Sequence, residues 1–142
     1  MTFTFLFDHG HKVLLVKFGP ALTKDALDAF VAAARDFAAT WGNCSGIVDF
    51  STVEKVDIDV AYLRAFGGTT RIMRGSERIL VAPQDHVFGM LRMYGLHQAS
   101  LGDEPMVVRT LQEAYDLLGL KAPDFQPIPV GDGSGEQPRR PS

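Results

Sequence analysis

His9 and His11 flank Gly10, so two imidazoles could sit on the same side of a turn and share a metal. Those are zinc-ligand types, but two imidazoles are too few for a closed structural site and no Cys-x-x-Cys run completes the set. The stretch therefore reads as an exposed hairpin turn, with no bound metal expected. His86 follows Asp85. It has the chemistry of a general base, yet beside a helix start it reads as a solvated first-turn residue. Cys44 follows Gly42-Asn43 with no base beside it. An inert thiol is the simpler reading. Gly67-Gly68-Thr69-Thr70 suits a bend or close packing better than a phosphate cradle. Nucleotide loops, nucleophile elbows and His-Glu-x-x-His pairs are all missing from the sequence. The expectation is a non-enzymatic chain with no catalytic residue and no cofactor.

Two other groups of residues point to binding. Asp57 and Asp59 precede a run with helical spacing, where carboxylates cap free N–H groups and favour the positive end of the helix dipole. Further on, the stretch from Val87 to Leu96 carries one charge, Arg92. On a helical wheel Val87, Met90, Leu91 and Tyr94 form a stripe for the core. Phe88 and Leu96 project elsewhere, on the side of Arg92, with Met93 at the stripe's edge. A helix covering one face of a sheet should be polar there. Three explanations compete: cover from the chain's own neighbouring helix or tail, a protein interface such as a symmetric homodimer, or a pocket for an apolar ligand. Asp57, Asp59, Phe88, Arg92, Met93 and Leu96 are the expected interaction surface.

The elements that must carry these residues follow from periodicity. Phe3, Phe5 and Phe7 alternate with Thr2, Thr4 and Leu6, the period of a strand. Val13 to Val16 resumes as a second strand after the Asp8–His11 turn, with Gly10 supplying the permissive backbone. That run is apolar on both faces, as a covered central strand would be. Thr23 can cap a long helix whose apolar positions are Leu27, Phe30, Val31, Ala34, Phe37, Ala38 and Trp41. Strands are predicted at Gly46–Phe50, Arg78–Ala82 and Met106–Arg109. Helices are predicted over about 57–73, from Asp85, and after Thr110. There Thr110 and Glu113 make a capping box and Gly119 a stop. Strands alternating with helices imply a mostly parallel sheet. The expected fold is α/β: five strands with an N-terminal hairpin strand at one edge, and about four helices, over residues 1–120. Five of the eight prolines and three glycines lie in 121–142, which reads as a tail.

That order resembles the STAS (SpoIIAA-like) superfamily over roughly residues 2–119. The stretch Asp49-Phe50-Ser51-Thr52-Val53-Glu54-Lys55-Val56-Asp57-Ile58-Asp59-Val60 is similar to the family's Asp-Leu-Ser-x-Val-x-x-Ile-Asp-Ser-Ser-Gly signature. The run from Val81 to Tyr94 resembles a segment of an uncharacterised SpoIIAA-like branch. The resemblance implies a protein-interaction module. In signalling members the second serine of Ser-Ser-Gly is phosphorylated, but here the segment reads Ile58-Asp59-Val60, and an aspartate has no hydroxyl. Ser51, Thr52, Thr69 and Thr70 lie elsewhere, so the usual switch does not carry over. Asp59 then either caps a helix or gives partial mimicry of a phosphoserine.

Bulk properties narrow the partners. At 142 residues and a net charge of -3, the chain is the size of one domain and lacks the basic excess of a nucleic-acid binder. Arg71, Arg74 and Arg78 cluster, which reads as a solvated rim. The single cysteine forbids an internal disulfide and points to a cytoplasmic setting. No secretory leader and no stretch of bilayer-spanning length is apparent. The expected partner is a protein or a second copy of the chain. The alternative role is a carrier or sensor of a lipid-like apolar small molecule.

Overall fold

The computed structural model describes residues 3–59, 61–63, 65, 77–99 and 105–128. The glycine pair with Thr69 and Thr70, Arg71, Arg74 and residues 129–142 lie outside them, as does the side chain of Leu96.

Strands β1 (Phe3–Asp8) and β2 (Val13–Phe18) form the expected antiparallel hairpin, in register from Phe3↔Phe18 to Asp8↔Val13. The turn places its left-handed residue at Lys12, φ 57°, and not at Gly10. Short strand β3 (Ala21–Thr23) leads into helix α1 (Lys24–Trp41). The Thr23 hydroxyl accepts from the Ala26 N–H at 3.1 Å, as its type and position predict. β4 (Ser45–Asp49) follows. Next comes β5 (Lys55–Asp57), which pairs in parallel with β3 as a separate two-stranded ribbon. Asp57 thus ends a strand, and the described helical residues that follow start at 61. β6 (Arg78–Val81), helix α2 (Asp85–Ala99), β7 (Met106–Val108) and helix α3 (Leu111–Leu118) complete the alternation. At α3 the Thr110 hydroxyl accepts from the Glu113 N–H at 3.1 Å, and Gly119 closes the helix at φ 66°.

The main sheet has six strands rather than five, in the order β7-β6-β4-β2-β1-β8. The sixth, β8 (Gln126–Ile128), comes from the segment read as tail and pairs antiparallel with β1 through Phe5↔Ile128 and Phe7↔Gln126. β1 is therefore internal. A proline-rich composition hid this strand, since proline is tolerated in an edge strand where its missing N–H is not needed. The four strands β2, β4, β6 and β7 are mutually parallel.

Alternation along β2 explains its two-sided apolar run. Leu14, Val16 and Phe18 face a core shared with α1, Leu63 and α2, while Val13 and Leu15 face a second core with Ala114 of α3. In the larger core, Phe5 meets Phe3, Phe30 and Phe37 at ring separations of 5.6–6.3 Å. Such tilted and edge-on pairs add stability beyond area burial.

Candidate binding cavity

The larger core is not filled. A cavity of about 80 Å³ lies between the sheet and the helices above it. Its floor is Leu14, Val16 and Phe18 of β2 with Gly46 and Val48 of β4 and Leu80 of β6. The roof is Leu27, Phe30 and Ala34 of α1 with Met90, Leu91 and Tyr94 of α2. Phe50, Leu22, Ile58 and Leu63 line it as well, together with Arg78 and Pro105. The lining is almost wholly apolar. A void of this kind stays dry, because water would find no partners there. Native interiors seldom leave so much unfilled space.

Local sequence explains each wall. The i, i+3, i+7 spacing of Leu27, Phe30 and Ala34 turns one flank of α1 toward the sheet, and the alanine makes it low there. Gly46 lowers the floor in the same way. A Cβ built on it meets nothing closer than the Leu14 carbonyl at 3.9 Å. Phe18 and Phe50 stack face to face at 5.2 Å and 6°. Met90 is the one unbranched, flexible side chain of the roof, suited to reshaping the space.

The expected core stripe of α2 is as drawn, with Val87, Leu91 and Tyr94 buried. Phe88, however, does not line the cavity and is not bare. The Arg109 guanidinium lies 3.8 Å above its ring, and Arg92 stands 6.0 Å from it. Arg109 is held there by Asp85 at 2.7 Å and by the Pro83 carbonyl at 3.1 Å. A wheel drawn on one helix sees no partner, and the cover comes from the loop after β7. Arg92 is exposed, and Met93 is 39 % exposed.

Asp59 caps the helix that follows it: its Oδ1 accepts from the Tyr62 N–H at 2.6 Å. A cap of this kind is worth about 1 kcal/mol. The Tyr62 hydroxyl donates to Asp28 at 2.6 Å, tying that helix to α1. Partial burial, then that bond and the charges of Asp28 and Asp25, push its pKa up to about 12.

The histidines go separate ways. His9 packs edge-on against Phe7 and Trp41 at 4.8 and 5.6 Å. His11 Nδ1 meets Asp8 Oδ2 at 2.8 Å. Among the described residues no three His, Cys, Asp or Glu side chains converge. Burial pushes the Cys44 thiol up, partly opposed by a hydrogen bond with the Leu14 backbone. A thiol so placed is a poor nucleophile. Burial, and then the charge of Asp49, push the Tyr115 phenol up.

Sequence reading missed two positioning residues. Gln84 Nε2 reaches the carbonyls of Phe50, Ser51 and Val53 at 2.9, 3.2 and 2.6 Å, clamping the loop after β4 to the start of α2. The Phe50 N–H adds a bond to the Val81 carbonyl at 2.8 Å. Both segments that carried the family resemblance thus meet in space, beside the Phe50 wall. The second residue is buried Asp8, which accepts from the His11 and Asp124 N–H groups, each at 2.9 Å. The Gln84 bonds and the Asp124 bond of Asp8 have no local sequence signature, since those partners stand far off in the chain, whereas the His11 N–H lies within the Asp8 turn. No protein-family model matches this sequence, and no curated protein matches it.

Proposed function

We propose that this chain is a non-enzymatic, STAS-like binding module for a small apolar molecule, held between the sheet and helices α1 and α2. The observation that carries the reading is the apolar cavity of about 80 Å³ between the sheet and helices α1 and α2. Among the described residues its lining brings no acid–base pair together, Arg78 and Tyr94 being the ionisable ones. The STAS-like assignment draws on the two matching segments and on their meeting through Gln84. A cytoplasmic setting follows from the lone cysteine.

A cavity of about 150 Å³ holds benzene, so this one takes roughly three or four carbons, with the remainder of a ligand in its mouth. At about 0.8 kcal/mol per buried methylene, binding of a simple alkyl probe is weak, on the order of several millimolar. The test is thermal unfolding of the full chain in 1-hexanol. Ligand at about ten times its dissociation constant should raise the melting temperature by roughly 3–5 °C. Ala34→Leu places three more carbons in the roof and should abolish the shift. A wild-type protein that hexanol fails to stabilise would remove the reading.

A second reading, a protein-interaction module, is favoured by a separate observation. Met93 of α2 and Met106 of β7 are 39 % and 51 % exposed, and α2 packs on β7, the terminal strand of the sheet. Exposed methionines beside an edge strand suit a partner, most simply a second copy. On this reading the wild type sediments as a dimer and Met93→Glu as a monomer. A monomeric wild type at micromolar concentration excludes it.

A further inference from the structure

The link between α3 and β8 is strained at the point where it could swing out. Leu120 is buried in the second core, and β8 begins at Gln126. Between them, Lys121 and Ala122 are exposed. Ala122 sits in the left-handed region at φ 49°, where its Cβ crowds the following carbonyl. Pro123 comes next, and a residue before proline prefers an extended backbone. Chirality and the proline thus both favour an extended link over the bent one. Gly119, three positions earlier, takes a similar φ of 66° without that cost.

What the link delivers is small and separable. β8 is three residues long, two of them exposed, and it pairs with only Phe5–Phe7 of the six-residue β1. Ile128 packs on the larger core, Phe125 stacks on Tyr115 at 6.0 Å, and the Asp124 N–H donates to Asp8. All these partners lie outside the link. A second copy of the chain presents the same partners in the same places.

We propose that two copies of this chain exchange residues 124–128, each β8 pairing with the β1 of the other. The exchange remakes the contacts just named and releases Ala122 into an extended conformation. Association costs translational freedom, so the closed monomer holds at low concentration and the exchanged dimer gains as concentration rises. The joint is at the β1 edge, at the other end of the sheet from β7.

Leu6 and Pro127 are register partners across β1 and β8, so a disulfide there reports whose strand is paired. The full chain carrying Leu6→Cys and Pro127→Cys, with Cys44→Ser, is refolded from urea at high and at low protein concentration, oxidised, and run on a non-reducing gel. High concentration should give disulfide-linked dimers, and low concentration internally linked monomers. Ala122→Gly relaxes the closed form and should raise the dissociation constant of the dimer at least about tenfold, since two links are relieved per dimer. The wild-type chain gives a readout free of any variant. Its dimers, formed on refolding at high concentration, should survive dilution for hours, because β8 must detach before the copies part. Internal disulfides alone at both concentrations overturn the exchange, as does a wild type that is monomeric at once on dilution. Linked dimers whose dissociation constant Ala122→Gly leaves unchanged overturn the role of the strained link.

Discussion

Phe18→Ala should cost about 3–5 kcal/mol of stability, and 1-hexanol should restore part of it. Phe18 is buried and sits where three aromatic contacts meet: stacked on Phe50 at 5.2 Å, edge-on to Phe30 at 5.4 Å and tilted to Phe3 at 5.8 Å. Truncation removes the transfer energy of the ring and all three pairings at once. The hole left behind opens onto the existing cavity, because Phe18 is part of its floor. Surrounding β2 is held on both sides, by β1 and β4, so the backbone cannot collapse to close the gap. The enlarged space then takes a longer alkyl chain than the wild type does. Urea denaturation with and without hexanol is the check. A variant destabilised as expected but indifferent to hexanol would mean that the cavity is not reachable from solvent.

The second large effect is expected at Asp8. This carboxylate is 2 % exposed and gathers the His11 N–H, the His11 ring and the Asp124 N–H, the last 116 positions away in sequence. It joins the hairpin turn to the segment that delivers β8. Burial alone would raise its pKa. The hydrogen bonds from the backbone of His11 and Asp124 and from the His11 ring, with the charge of that ring, outweigh it and lower the value from 3.8 to about 2.

The lowered value sets the sign of the pH effect. A carboxyl whose folded pKa is depressed adds stability above its unfolded value, and that contribution is lost as pH falls through the folded one. The window therefore runs from about pH 4 down to about pH 2, and the size is about 1–2 kcal/mol once solvent screening is allowed for. At neutral pH Asp8→Asn should cost about 2–3 kcal/mol, since the amide leaves one buried N–H unpaired and loses the charge. Its stability should also be flatter between pH 4 and 2 than that of the wild type. Amide hydrogen exchange reports the structural half of the argument: protection at Gln126 and Ile128 should drop more than at β2. Equal protection in both proteins would show that β8 holds to β1 without Asp8.

The contrast between the distant contacts of these two residues, such as Asp8 with Asp124, and the helix caps shows where sequence reading works. Thr23, Asp59 and Thr110 each accept an N–H three residues onward. Residue type and spacing suffice for such a contact, because partner and donor lie within one turn. The same holds for the two-sided burial of β2, written in its unbroken apolar run. Asp57 was misassigned within the same stretch because its outcome is nonlocal: β3, more than thirty positions earlier, pairs with Lys55–Asp57 and converts a helix start into a strand. The cover of Phe88 stayed open among three explanations for a like reason, since Arg109 belongs to another element.

Alternation, capping and punctuation thus determined the α/β class, the hairpin, the helix ends and the parallel order of the central strands. These are interactions among residues a few positions apart, and their energies are readable from residue type. Tertiary structure alone decided that Gln126–Ile128 would close the sheet, that Gln84 would clamp the loop after β4, and that Ala34 and Gly46 would leave a hollow between facing layers. A void is a property of how two surfaces fail to fill the space between them, and neither surface records it alone.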